Sequence, residues 1–399
     1  MKLPFVSLSI FSFITVSIFG MYQESSIYAF GFHGKLVVII STIFLTFFFQ
    51  INKIARLKIE KKSIPLILFL LYVFVGAIHG IVSKQVDSIE YFIYTNYFIL
   101  TIIYLYSLSM FNLDIKRLLS VLHVALIVNF MIGFILIFPL NMEIYDYAQG
   151  GFGDKGLSAF LAKRTSFGLL SLFGVFVEFY LYTEYKRVRY LFLMFSYSAL
   201  LFLSDNRTTI LMLVVFFSLQ IFYKIKKVFR DPYFRYLLNL FLLLGVVIFF
   251  LFSYREILDL NYESISSGRT MIWALAIHES TKDLFSIIFG NGMFSLGHYI
   301  PEKYASLSYH FQEVDILSMH SSYIEIFIAS GVVGLIGFFV LIYRVWGRDS
   351  YLNSIVLSIL LIGIFEGVII MPTIPIISFF WLIVIISLKE KFKRSQKNV

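Results

Sequence analysis

Three residues of this chain have the types and placement to act on one substrate: His320, Arg207 and Arg269. His320 stands in Ser318-Met319-His320-Ser321-Ser322-Tyr323-Ile324-Glu325, where a long polar segment gives way to an apolar run. An imidazole can take a hydroxyl proton near neutral pH, and burial beside cations would hold it neutral and able to accept. Arg207, in Leu203-Ser204-Asp205-Asn206-Arg207-Thr208-Thr209, opens an apolar stretch of its own. A cation in a first helical turn opposes the helix dipole by roughly 0.3–1 kcal/mol. Guanidinium and free helix N–H groups can instead converge on an anion. Arg269 follows Ser266-Ser267-Gly268, where the serines can cap a helix that begins at the glycine and runs on through Trp273. Two cations and a proton acceptor at one water–lipid boundary would suit an anionic substrate such as a lipid pyrophosphate. Each residue also has a plain structural reading. Arg207 could snorkel at an interface beside Asp205, itself a plausible N-cap; Arg269 could pair with a loop carboxylate, and His320 could be satisfied at a helix start.

Other polar groups sort more simply. Ser322-Tyr323-Ile324-Glu325 has the spacing of a capping box, which accounts for Glu325. Gly331, Gly334 and Gly337 recur at intervals of three and would let another helix approach closely. Glu178 and Glu366 fall inside apolar runs, where a carboxylate must neutralise or pair. Lys163 and Arg164 follow the glycine-rich stretch Gly150-Gly151-Phe152-Gly153-Asp154-Lys155-Gly156 and are further candidates for binding an anionic substrate. Histidines 278, 298, 310 and 320 have no zinc-like spacing, and no metal site is expected. Gly290-Asn291-Gly292 reads as a turn, with no strand before it to make a nucleotide cradle, and no serine-hydrolase elbow occurs. The chain has no cysteine, which excludes disulfides and thiolate chemistry.

The elements that must hold these residues are membrane spans. The 399 residues are 59% hydrophobic and only 14% charged, against about a quarter charged in soluble domains. The fold class is therefore all-α, polytopic and membrane-embedded, because a β-barrel would show short alternating segments. Candidate spans lie at roughly 3–20, 35–51, 64–82, 91–110, 117–139, 165–183, 188–204, 208–223, 236–254, 320–343, 351–371 and 376–388. The last two are separated only by Pro372-Thr373-Ile374-Pro375 and could form a re-entrant hairpin. Counted with the N-terminus inside, 23 of the 33 lysines and arginines fall in inner segments, so both termini are expected in the cytoplasm. That pattern, and not nucleic acid, explains the net charge of +9. Lys2 and the apolar residues after it read as an uncleaved first span. The chain is expected to be one integral membrane domain over 1–399, with segment 255–318 between spans nine and ten as a folded extracytoplasmic cap.

The assembled segments resemble the O-antigen ligase and O-antigen polymerase superfamily of bacterial surface-polysaccharide enzymes. The features that match are Asp205-Asn206-Arg207-Thr208-Thr209 at a span start, Gly268-Arg269 followed by Trp273 in the large loop, and His320 followed by Ser322-Tyr323-Ile324-Glu325 and Ala329-Ser330-Gly331. Ser321 stands where that family often has asparagine. The likeness covers about 200–345 by motif and the whole chain by topology. It implies a GT-C-like fold of about 12 spans in the bacterial inner membrane and metal-independent glycosyl transfer on the extracytoplasmic face, without a cofactor. The implied donor is an undecaprenyl-pyrophosphate-linked oligosaccharide. Arg207 and Arg269 would stabilise the pyrophosphate leaving group, and His320 would orient or deprotonate the acceptor hydroxyl. Lys163, Arg164, Tyr323 and Glu325 would line the glycan or pyrophosphate site. Polymerisation of repeat units into O-antigen, capsule or exopolysaccharide is the reading preferred. Its neighbours are ligation of the glycan to lipid A-core and, in a different class, flipping of lipid-linked oligosaccharide without bond chemistry. A chain-length regulator and a flippase are the implied protein partners.

Overall fold

A backbone that crosses lipid must satisfy its own N–H and C=O groups, and long apolar runs do so as helices. A computed structural model describes residues 2–54, 63–82, 89–111, 114–147, 155–225, 269–304, 319–346, 350–371 and 374–388. Its helices are α1 (Lys2–Phe19), α2 (Ser25–Ile54), α3 (Ile64–Val82), α4 (Ile89–Ser109), α5 (Ile115–Ile137), α6 (Arg164–Tyr185), α7 (Val188–Leu203) and α8 (Arg207–Ile225). They continue as α9 (Arg269–Ser280), α10 (Leu284–Phe289), α11 (Leu296–Tyr304), α12 (Ser322–Val345), α13 (Ser350–Ile362) and α14 (Pro375–Leu388). A small antiparallel hairpin, β1 (Tyr145–Tyr147) with β2 (Lys155–Leu157), interrupts them between α5 and α6.

Among the described residues six helices are long and apolar enough to cross a membrane, and five shorter apolar helices accompany them. Phe44, Phe48, Phe192 and Phe195 point outward with most of their surface uncovered. Such faces are a liability in water and are solvated in lipid. The protein is an all-α multi-pass membrane protein. Its core runs along α14, which is apolar on every side and buried along nearly its whole length. Trp381 of α14 stacks on Phe69 of α3, and its indole N–H donates to the Ile369 carbonyl at 2.8 Å.

Several helices depart from their predicted bounds. The expected span 236–254 lies outside the described residues. α2 begins ten residues before the predicted 35, because the Ser25–Gly34 stretch continues the same helix. The predicted span 351–371 is not one helix. α13 stops at Ile362 after 13 residues, and α14 has 14, so each reaches only about 20 Å at 1.5 Å per residue. The break has an identifiable cause in Ser322. Its backbone N–H donates to the carbonyls of Gly363 and Glu366, and its hydroxyl donates to Glu366 O at 2.7 Å. The same hydroxyl accepts from the N–H groups of Val368 and Ile369. One residue, through its N–H and its hydroxyl, thereby satisfies backbone groups that the break leaves open.

The large loop is helical in its described part, residues 269–304, but it does not all lie outside the bundle. α10 packs against α3 and α12, and Asn291 N–H donates to Ile328 O at 2.6 Å. Gly331 breaks α12 there, with φ 65° and ψ −169°, about 13 Å from the start of that helix. A Cβ on Gly331 would come within 2.3 Å of Ile288 backbone atoms. The expected three-glycine packing stripe is thus corrected. A Cβ on Gly334 would meet its own Ser330 and, at an ordinary 3.5 Å, Tyr72 of α3, while Gly337 meets nothing within 4 Å among the described residues; Gly331 makes the closest approach to another element, and it does so by leaving the helix.

Candidate functional site

Four segments meet at one end of the bundle: the α7–α8 turn, the β-hairpin with the start of α6, the start of α12, and the 363–369 break. The turn is built by its own side chains. Asp205 takes a left-handed φ of 48°, and Asn206 caps α8 by accepting the Thr209 N–H at 2.9 Å and the Thr208 hydroxyl at 2.6 Å. The expected N-cap, Asp205, is therefore replaced by Asn206. Asp205 instead faces Arg164 across a 3.7 Å ion pair. The Asn206 amide reaches Thr165 on α6 at 2.9 Å, and Gly168 leaves no room for a Cβ beside Thr209 and Ser204. Arg207, the first residue of α8, is exposed at this end.

His320 also has a left-handed backbone, φ 49°, a conformation that costs a non-glycine residue roughly 1–2 kcal/mol. Its side chain is 38% exposed, and Nδ1 lies 3.9 Å from Oε2 of Glu366, itself 15% exposed. The expected burial is corrected here, since the imidazole is part-open, and a carboxylate faces it. The other oxygen of Glu366 accepts from the Thr208 hydroxyl at 3.1 Å. Glu366 thus stands between His320 and the turn that carries Arg207.

α9 is tied to the same place. The Trp273 indole N–H donates to Met319 O at 2.5 Å, one residue before His320. Ile272, Leu275, Met319, Ile324 and Ile328 form the apolar seam beneath that bond. Arg269 is the first residue of α9 and one turn ahead of Trp273; its side chain lies outside the described residues, as do Ser266, Ser267 and Gly268. At the far end of α9, Glu279 is buried under Lys282, Lys303 and Tyr304. Burial pushes its carboxyl up, but the hydrogen bonds from these three outweigh it and hold the group below the ordinary glutamate range. Burial and the neighbouring carboxylate push the Tyr304 hydroxyl up to about 12.

The remaining candidates divide. Arg164 belongs to the cluster through Asp205, and its backbone N–H donates to Asp146 of the hairpin at 3.1 Å. Lys163 is the exposed N-cap residue of α6, without a side-chain cap bond. Tyr323 is not placed to touch a substrate. It is 1% exposed, its hydroxyl donates to Leu360 O at 2.7 Å, and its ring stacks on Phe339. Glu325 is buried against Gly367, where a Cβ would lie 2.3 Å from its Oε1. The capping box is corrected as well: Ser321 is the N-cap of α12, and Ser322 is occupied by the 363–369 segment.

Reading the spans one by one left Glu366, Thr208 and Asn206 out of the site. A signal existed for Glu366, because an ionisable residue between Gly363 and Gly367 in an expected span argues against a continuous helix. Among the described residues no group of three or more histidines and carboxylates is placed to hold a metal. No family model, curated protein or solved structure matches the chain.

Proposed function

We propose that the chain is a membrane glycosyltransferase of GT-C-like architecture, with about 12 spans and both termini cytoplasmic. It polymerises undecaprenyl-pyrophosphate-linked oligosaccharide repeat units on the extracytoplasmic face of the bacterial inner membrane. The supporting observation is the cluster at one end of the bundle. A part-open imidazole on strained backbone faces Glu366, whose other oxygen meets the turn carrying Arg207, while α9, with Arg269 in its first turn, is bonded to the residue before His320. In this reading His320 takes the acceptor hydroxyl proton. Arg207 and Arg269 stabilise the pyrophosphate as charge develops on it, and Arg164, paired to the same turn, adds to that field.

The test is elongation by the purified protein in proteoliposomes given defined lipid-linked repeat units. A ladder of longer glycans is expected, lost in His320→Ala while the variant still inserts and melts like the parent. Full elongation by His320→Ala removes that residue from the chemistry. Translocation of the lipid-linked unit without longer glycans makes the protein a flippase, and transfer only to lipid A-core makes it a ligase.

A further inference from the structure

We infer that Glu366 is a positioning residue for His320, a fixed negative charge that steadies the imidazolium formed as the acceptor hydroxyl gives up its proton. The inference rests on the glycosyl-transfer reading above and deepens it. In that reaction the acceptor oxygen bonds to the anomeric carbon while the anomeric carbon–oxygen bond to the pyrophosphate breaks. Its electron pair leaves with the pyrophosphate, and the hydroxyl proton moves to the imidazole.

Geometry separates this role from ordinary hydrogen bonding. At 3.9 Å the His320 Nδ1 and Glu366 Oε2 are at ion-pair distance, about 1 Å beyond a direct hydrogen bond. A neutral imidazole gains little from a carboxylate so placed, whereas an imidazolium gains a full charge–charge attraction. The contact therefore strengthens as the proton arrives, which is the condition for an interaction to speed the chemical step and not merely tighten binding.

The carboxylate is also held in place. The Ser322 hydroxyl and N–H grip the 363–369 segment from two residues beyond His320, so histidine and glutamate ride on one stapled unit. Gly367 lets that unit close over the Glu325 carboxylate. The Thr208 hydroxyl has one proton and two acceptors, Asn206 Oδ1 at 2.6 Å and Glu366 Oε1 at 3.1 Å.

Two substitutions separate charge from shape. Glu366→Gln keeps the size and the contact to Thr208 but removes the charge, whereas Glu366→Asp keeps the charge and shortens the reach. With the elongation assay above, Glu366→Gln is expected to lower kcat about 100-fold, within the range general-base catalysis contributes. KM for the lipid-linked donor and the melting temperature should stay near those of the parent, and Glu366→Asp should recover a large part of the rate. A glutamine variant as fast as the parent, or faster than the aspartate variant, overturns the inference and leaves Glu366 a shape-filling residue. If the parent itself elongates nothing, the glycosyl-transfer reading fails and takes this inference with it.

Discussion

Among the described residues two histidine–glutamate pairs occur, and they differ in access and in the backbone that carries them. His123 of α5 and Glu178 of α6 meet at 2.6 Å, with side chains 14% and 0% exposed. Regular helix continues on both sides of each, and the Tyr190 ring stands edge-on to the imidazole. Two turns along α5, Lys116 and Glu184 repeat the link between the same two helices at 2.5 Å. His320 and Glu366 are farther apart and more open, and both stand outside regular helix, one on left-handed backbone and the other in the gap between α13 and α14. The tight, sealed pair serves as a clamp between helices. The loose pair has room for a third party. Residue type alone does not distinguish them; access and backbone irregularity do.

The largest expected contrast comes from removing one carboxylate from each pair. Glu178→Ala removes the carboxylate that meets His123 at 2.6 Å and with it the hydrogen bond between these two side chains. Breaking a buried pair in this way costs about 3–5 kcal/mol, so thermal unfolding in detergent should show a large loss of melting temperature. Replacing both partners, as in His123→Phe with Glu178→Leu, should restore much of it, because a well-packed apolar pair can substitute for a buried ionic one. Glu366→Ala should move the melting temperature little and the elongation rate much. Should Glu178→Ala prove as stable as the parent, the clamp interpretation fails.

A smaller effect is expected where α12 is broken. Gly331→Ala places a side chain on a φ of 65°, a cost of about 1–2 kcal/mol. It also pushes the new Cβ into the backbone of Ile288 and Phe289. Since α10 seats against this point, hydrogen exchange at 284–292 should accelerate while exchange at Glu178 and its neighbours stays slow. Unchanged exchange across both regions would mean that the break in α12 does not depend on glycine.

The same contrast explains what could be read from the chain beforehand. Helices α3, α5, α6 and α12 follow from hydropathy, because a run of apolar side chains must hide its backbone and only a helix can do so. Arg207 and His320 could be assigned to one end by counting crossings. Glu366 stands out as a carboxylate in an apolar run, but its partner does not, since the break it sits in is held by Ser322, far away in sequence. The kink at Gly331 was hidden for a similar reason: three glycines at helical spacing look alike until α10 is known to lie against one of them. Glu178 reads as an isolated carboxylate in a span, because its pairing with His123 is a contact between helices. Local pattern thus determines the regular elements, and the irregular ones that build the site arise from contacts between distant segments.

The smallest effect concerns α9, the helix that Arg269 opens and that Trp273 ties to Met319. The buried carboxylate of Glu279, gripped by Lys282 at 2.6 Å and Lys303 at 3.1 Å, fastens the end of α9 to α11. Both lysines are more than a third exposed, so solvent screening limits the fastening to about 1 kcal/mol or less. Because the folded carboxyl is held below its unfolded value, this stabilisation is complete above the ordinary glutamate range. It fades as pH falls through the depressed folded value. Glu279→Gln at neutral pH should therefore raise protease cleavage within 269–304 a few-fold, and acidification of the parent should do the same. The Trp273–Met319 bond at the other end of α9 should remain, with the elongation rate changing less than twofold. If Glu279→Gln instead abolishes elongation, α9 moves as one rigid piece, and the open site depends on a latch at the opposite end of that helix.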